Sequence, residues 1–573
     1  MARGFGPLGD EAPVDGGQRR WTQRYLPAAG VSIGLVLIAG PLLAIAVRGL
    51  LVWSGDYPHP SFGNFTGLFA DPRFGDAVAN TVAAGLCTTI LSLTLGFTLA
   101  FLVCRTDMTG RRLLGALNAV PFFLSPYAGA MAWIYLLAQH DGLVPVWARG
   151  SYGAALEWLN IYSLSGVILV LTLFYTPYVY LFLLRPLREM DAAFEDTARV
   201  HGATFWYTLR HVTLPLLLPA FTSSGLVVFV TSAGLFDVPA ALGAPRGISF
   251  IPTEIFAMAH SSSGSGRAAA FAIVVLLATA LVTVWQRRFL AGQRVITVSG
   301  KGYRPVLIRL RWPARIAALT FEAAYIGGAV LLPMLVLLMV SVTKFWIGRP
   351  AWRAATTVNF DAILTGNELT RTAIFNSLFL AIAGATICVV LAALQGTWLN
   401  RGDPRHRGLV GGVLSLPLSI PGIVLGLGFA ILASRTPLGG TLAIILIAYV
   451  GCFLPFATRN VIATFLTIDP GLEQAAQISG AGWNQTMRHI VVPLLRPSLV
   501  ASWLLLFVIF IRELGVTMLL YAPGTETISV AMLTLSDRNA SQVAALALVQ
   551  MALALLVFAI FQLARATPGR EPA

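Results

Sequence analysis

Charge is what this chain has least of. Asp, Glu, Lys and Arg make up 11% of its 573 residues, against about 25% in an ordinary soluble protein, and apolar residues make up 57%. That balance excludes a soluble enzyme, a disordered scaffold and a secreted disulfide framework. Lysine is nearly missing: Lys301, followed by Gly302, and Lys344, followed by Phe345, are the only two. A Walker A loop needs Gly-Lys-Ser/Thr, so no phosphate cradle of that type is present. The four cysteines, Cys87, Cys104, Cys388 and Cys452, form no C-x-x-C pair and lie in or beside apolar runs, which reads as packing rather than redox chemistry. The seven histidines stand apart from Cys, Asp and Glu at ligand spacing, so no metal site is expected. No nucleophile and base can be matched, so no catalytic residue is expected either.

What charge there is leans one way, to a net +14, and all but two of the 39 basic residues are Arg. These arginines sit beside long apolar runs, which reads as membrane topology rather than as a nucleic-acid surface. A bilayer core of about 30 Å takes about 20 apolar residues per helix. Twelve such runs are read, at 26–47, 80–104, 113–137, 162–184, 216–236, 268–286, 318–342, 374–398, 409–433, 440–457, 498–521 and 543–564. The first lacks a small-x-small cleavage site, so a retained helix is expected in place of a signal peptide. With the N-terminus in the cytoplasm, the cytoplasmic segments carry 27 Arg and Lys and the opposite side 11. Both termini are therefore expected inside.

The sequence repeats itself. EDTARVHGATFWYTLRHVTLPLLLPA, from Glu195, superposes on EQAAQISGAGWNQTMRHIVVPLLRPS, from Glu473, at an offset of 278. Upstream, Arg105-x-Asp107 and Pro121 match Arg401-x-Asp403 and Pro417 at an offset of 296, so the first half holds extra residues between, placed at about 138–161. Each repeated loop follows the fourth span of its half, so the repeat is parallel and an inverted-repeat carrier is disfavoured. The expected organisation is an N-tail over 1–25, a first repeat over 26–286 with a loop at 185–213, and a basic linker over 287–316. A second repeat over 317–564, with its loop at 458–493, and a C-tail over 565–573 complete it. The fold expected is an all-α integral membrane protein of about twelve helices in two tandem six-helix repeats.

Within the repeated loop, Glu195, Ala198 and Gly202 share one helix face, as do Glu473, Ala476 and Gly480. The glycine suits a helix end. A second short basic helix through Arg210-His211 or Arg488-His489 is expected to end near Pro215 or Pro493, at the first turn of the next span.

These residues resemble the cytoplasmic signature of permease subunits of ATP-binding-cassette importers, E-A-A-x(3)-G-x(9)-I-x-L-P. The second copy supplies Gln474-Ala475-Ala476, Gly480, Ile490 and Val492-Pro493, and the first Asp196-Thr197-Ala198, Gly202, Val212 and Leu214-Pro215. Neither copy has Glu at the signature's first position; Glu195 and Glu473 stand one residue earlier. The resemblance implies a multi-pass permease of the bacterial inner membrane that binds no cofactor itself. Its partners would be a cytoplasmic ATPase in two copies, using ATP and Mg and docked on the two loops, and a periplasmic substrate-binding protein. The linker VSGKG from Val298 and the stretch from Phe510 further resemble fused permeases of the ferric-iron branch, whose relatives handle thiamine, 2-aminoethylphosphonate and polyamines. Ferric iron is the substrate this implies, with those three as alternatives.

A twelve-span ion-coupled secondary carrier is the rival reading, and Arg105 to Arg112 does resemble a loop of major-facilitator carriers. Such a carrier needs acidic relays within its spans, and Glu513 and Glu322 are the candidates. Arg512 and Glu513 are read as lying within the eleventh span, where they either line a path or gate or form an ion pair that locks helices. Pro121, Pro126, Pro417 and Pro421 predict that the third and ninth spans are kinked or broken.

Overall fold

A computed structural model describes residues 25–54, 57–148, 160–191, 193–261, 264–291, 307–349, 355–401 and 404–566. The N-tail, the linker motif at Val298 to Gly302, and Asp403 lie outside these residues. The fold is helical as expected. Among the described residues ten helices are long and apolar enough to cross a membrane, and an eleventh span forms if one bent pair is counted as one.

In chain order the helices that matter here are α1 (Leu26–Leu50), α2 (Pro72–Arg105), α3 (Arg111–Leu117), α4 (Pro126–Leu137), α5 (Leu164–Glu189), α6 (Ala193–Val200), α7 (Leu214–Gly234), α8 (Ile251–His260) and α9 (Ser265–Ala291). Across the linker follow α10 (Trp312–Ser341), α11 (Glu368–Arg401), α12 (Pro404–Leu414), α13 (Gly422–Ala433), α14 (Leu442–Phe465), α15 (Pro470–Ile478), α16 (Val492–Ile511), α17 (Ile528–Leu535) and α18 (Ala540–Ala566). A two-stranded antiparallel hairpin, β1 (Leu51–Ser54) and β2 (Tyr57–Pro60), follows α1, a small β element that the sequence reading lacked.

The prolines break spans three and nine as predicted. The stretch Arg111–Phe123 meets Pro126–Leu137 at 97°, and α12 gives way to a short 3-10 turn at Leu416–Ser419 before α13. Each proline removes a backbone donor and crowds the preceding carbonyl, so a straight helix cannot continue. A second consequence of proline recurs three times. Pro215, Pro333 and Pro493 each follow a π turn, at Leu209–Thr213, Gly327–Leu331 and Met487–Val491. In each, the residue before proline bonds five residues back, as Leu214 N–H does to Leu209 O, which widens the helix where the ring would clash. The expected second loop helix therefore does not end at Pro215 or Pro493; it runs through the π turn into α7 or α16.

The chain forms two compact units. One comprises 1–39, 382–418 and 449–507; the other comprises 40–381, 419–448 and 508–573. In the larger unit α2 packs along α5 so closely that a Cβ on Gly96 would lie 2.7 Å from Val179 Cβ. Small residues at such a seam let membrane helices gain van der Waals contact where no hydrophobic force distinguishes lipid from protein.

Candidate coupling site

The repeated loops form matched knobs. α6 and α15 each end two residues before a left-handed glycine, Gly202 with φ +81° and Gly480 with φ +82°. In the first, Ala203 N–H bonds to Ala198 O and Gly202 N–H to Arg199 O; in the second, Ala481 N–H bonds to Ala476 O. This is the left-handed helix stop that glycine adopts without steric cost. A Cβ at either glycine would meet nothing within 4 Å. The backbone turn, and no close approach within the chain, explains glycine here.

The acid at the head of each knob turns inward. Glu195 is 4% exposed, its Oε1 lying 2.6 Å from Arg105 Nη2 and accepting from Thr213 Oγ1 at 2.9 Å. Glu473 pairs with Arg401, whose Nη1 also approaches Met487 Sδ at 3.7 Å. Arg105 and Arg401 are the last residues of α2 and α11, two 34-residue helices. The sequence matched both arginines and both glutamates but not to each other; opposite charges conserved at two offsets were the available signal.

The remaining loop residues divide by exposure. Asp196 and Gln474, at the signature's first position, face outward with Arg210, Arg488, His211, His489, Pro215 and Pro493. Asp196 makes a 3.7 Å pair with Arg199. Ala476 is buried and Ala198 half-buried beneath the knob. Two strongly exposed apolar side chains went unnoticed in the sequence: Val200 at 85% and Ile478 at 87% occupy matching positions two residues before the glycines.

A strap closes over the first knob alone among the described residues. Ile308 N–H bonds to Arg105 O and Asp107 N–H to Ile308 O, a parallel bridge between the linker and the end of α2. Asp107 then accepts from Leu310 N–H at 2.8 Å and pairs with Arg315 at 2.9 Å. The Leu310 amide first, and the Arg315 guanidinium after it, hold the Asp107 carboxyl below its usual range. Ile308 lines one small cleft with Glu195, Arg199 and Thr213.

Arg512 and Glu513 do not lie within a helix. α16 ends at Ile511, and both residues sit in short turns in which Glu513 accepts from Val516 N–H at 3.0 Å. A carboxylate that caps a following turn competes with helix continuation, which is why the apolar run misled. The two are not ion-paired to each other among the described residues. Instead Arg512 donates to Phe122 O, to Leu124 O at 3.0 Å and to Tyr178 Oη at 3.0 Å, with its guanidinium 5.1 Å from the Phe122 ring centre. It satisfies the carbonyls freed where the third span breaks, as buried backbone in a membrane requires. Glu322, the second acid named as a relay candidate, is buried against Asn118 at 2.9 Å.

The comparisons with known proteins agree with this duplicated architecture. A Fe(3+)-transport system permease protein of Haemophilus influenzae is 24% identical over 475 residues, 81% of this chain and 85% of that protein. A ferric transport system permease protein of Actinobacillus pleuropneumoniae is 24% identical over 433 residues, 74% of this chain and 61% of that protein. A molybdenum transport system permease protein of Mycobacterium bovis is 30% identical over 273 residues, 47% of this chain and 94% of that protein. One family model matches twice, over residues 92–295 and 389–567, and each match contains one knob with its arginine. The chain belongs to the family of inner-membrane components of binding-protein-dependent transport systems, as a fused double repeat.

Proposed function

We propose that this chain forms the membrane pathway of an ATP-driven importer, taking its substrate from a periplasmic binding protein and its energy from two copies of a separate cytoplasmic ATPase. Both termini and both knobs face the cytoplasm. The observation that carries the reading is the matched anchorage of the knobs: each is held by an Arg–Glu pair to a 34-residue helix and runs through a π turn into the next span. A partner that moves a knob thereby moves two spans, one through the ion pair and one through continuous helix. Val200 and Ile478 are the apolar tips offered to that partner, and Asp196 and Gln474 its polar contacts. The ATPase supplies ATP and Mg chemistry, so this chain contributes shape and leverage alone. Cysteines at positions 200 and 478 should cross-link to the ATPase in membranes. A failure to cross-link at both, with the ATPase present, would sink the docking assignment.

Ferric iron is the substrate this reading favours, supported by the ferric names of relatives aligned across both halves. Uptake of radiolabelled ferric iron, molybdate and 2-aminoethylphosphonate by cells with and without the gene tests it. Loss of molybdate or phosphonate uptake with iron uptake intact would reassign the substrate.

A further inference from the structure

A second repeated contact lies far from the knobs. Asn80-Thr81 in α2 and Asn376-Ser377 in α11 stand at the same offset of 296 as Arg105 and Arg401. Asn80 Nδ2 donates to Ser249 O at 3.0 Å, and Thr81 Oγ1 accepts from Ile251 N–H at 2.9 Å. In the second half Asn376 Nδ2 donates to Gly524 O and Glu526 O at 3.1 and 2.9 Å, and Ser377 Oγ accepts from Ile528 N–H at 2.8 Å. Ile251 and Ile528 are the first residues of α8 and α17. Each Asn-Thr/Ser pair thus satisfies the end of an irregular segment and the orphan amide that opens the next helix.

Those segments, 235–250 and 512–527, begin where α7 and α16 stop. Much of each is buried, including Phe236, Asp237, Val238, Leu242, Leu514, Val516, Thr517 and Leu520. At their near ends they meet the opposite half: a Cβ on Gly515 would lie 3.4 Å from Phe236 Cβ, and one on Gly234 2.7 Å from Pro421 Cβ. Irregular backbone is tolerated at membrane depth only inside protein or along a cavity, which fits segments that close a path between the halves.

We propose that Asn80-Thr81 and Asn376-Ser377 are positioning residues for a two-part plug, fixing the far ends of segments 235–250 and 512–527 so that their near ends stay in contact across the two halves. The plug's place on a transport path rests on the importer reading. Its tightness is measured without transport, so the two fail separately.

The test uses the permease–ATPase complex in proteoliposomes with entrapped pyranine, reading proton entry after an external pH step without ATP. T81V keeps the shape, S377V adds one methyl group, and both remove the acceptor. Each should raise the leak about tenfold, the effect of one buried hydrogen bond on a closed–open equilibrium. T81S and S377T, which keep a hydroxyl, should restore tightness. A purely structural role would lower the melting temperature of the purified complex without any leak, and that result, or tight vesicles with normal melting, would overturn the proposal. Where one valine variant fails to assemble, the other carries the test. Independently, the amides of Ile251 and Ile528 in the wild-type complex should exchange slowly with deuterium at rest; rapid exchange at both would overturn the proposal without any variant.

Discussion

The two knobs share their plan and differ in their surroundings. Both have the inward glutamate, the left-handed glycine, the π turn and the exposed aliphatic tip. In the first, the ion pair is nearly closed off, with side-chain exposures of 1% for Arg105 and 6% for Glu195; in the second, Arg401 and Glu473 keep 24% and 20%. Thr213 adds a hydroxyl donor to Glu195, and Val491 stands in its place in the second copy. The strap is the other difference. Linker residues 307–310 fold back on the end of α2, a contact seen at the first copy alone among the described residues. The two copies share the internal anchorage of the knob, and the strap adds contacts at the first.

The largest expected effect separates the two pairs. E195Q leaves a buried guanidinium without its counter-charge and should destabilise the complex by about 3–5 kcal/mol. E473Q, at a pair that water screens, should cost about 1 kcal/mol or less. Melting temperatures of the two purified variants check the ranking, and equal losses would erase the distinction drawn between the knobs.

The glycines sharpen the comparison from the opposite side, because they should behave alike. G202V and G480V both force a branched side chain into left-handed backbone, at about 1–2 kcal/mol each, with open space around both positions. A clash-driven loss at one alone, seen as a much lower melting temperature, would mean that this knob is packed where the other is free.

Removing the strap should make the first knob resemble the second. I308G opens the cleft over Glu195, and the E195Q penalty measured in that background should shrink toward that of E473Q. An unchanged penalty would show that the strap does not set the burial of the pair.

The smallest effect concerns pH. Because the folded carboxyl of Asp107 lies below its ordinary range, the strap's contribution is fully present above about pH 4, the ordinary Asp value. It is lost only as pH falls through the depressed value. Protease sensitivity of the linker should therefore be flat from pH 6 to 8, about the physiological range, in wild type and raised at all those pH values in D107N. A wild-type rise within that window would assign the strap to another group.

Much of this was legible in the sequence because membrane insertion and duplication both leave periodic marks. Long uncharged runs located the spans, the offset of 278 located the knobs, and Pro121, Pro126, Pro417 and Pro421 located the broken helices. What stayed hidden depended on contacts between distant residues. Arg105 reads from sequence as positive-inside anchoring, although it pairs with Glu195, and no motif marks Asn80 or Asn376. Arg512 and Glu513 were misplaced within a helix because an apolar run does not record where a side chain caps the backbone. Their adjacency suggested a pair, whereas Arg512 serves the carbonyls of a span almost four hundred residues away.

The lever itself is tested most directly in the second knob, where the ion pair is open enough to exchange its charges. R401E and E473R should each leave ATPase co-purification intact while abolishing the hydrolysis stimulated by ferric-loaded binding protein, and the double variant R401E/E473R should recover most of that stimulation. Full stimulation in both single variants, or no recovery in the double, would contradict the claim that this pair carries motion from the knob to α11.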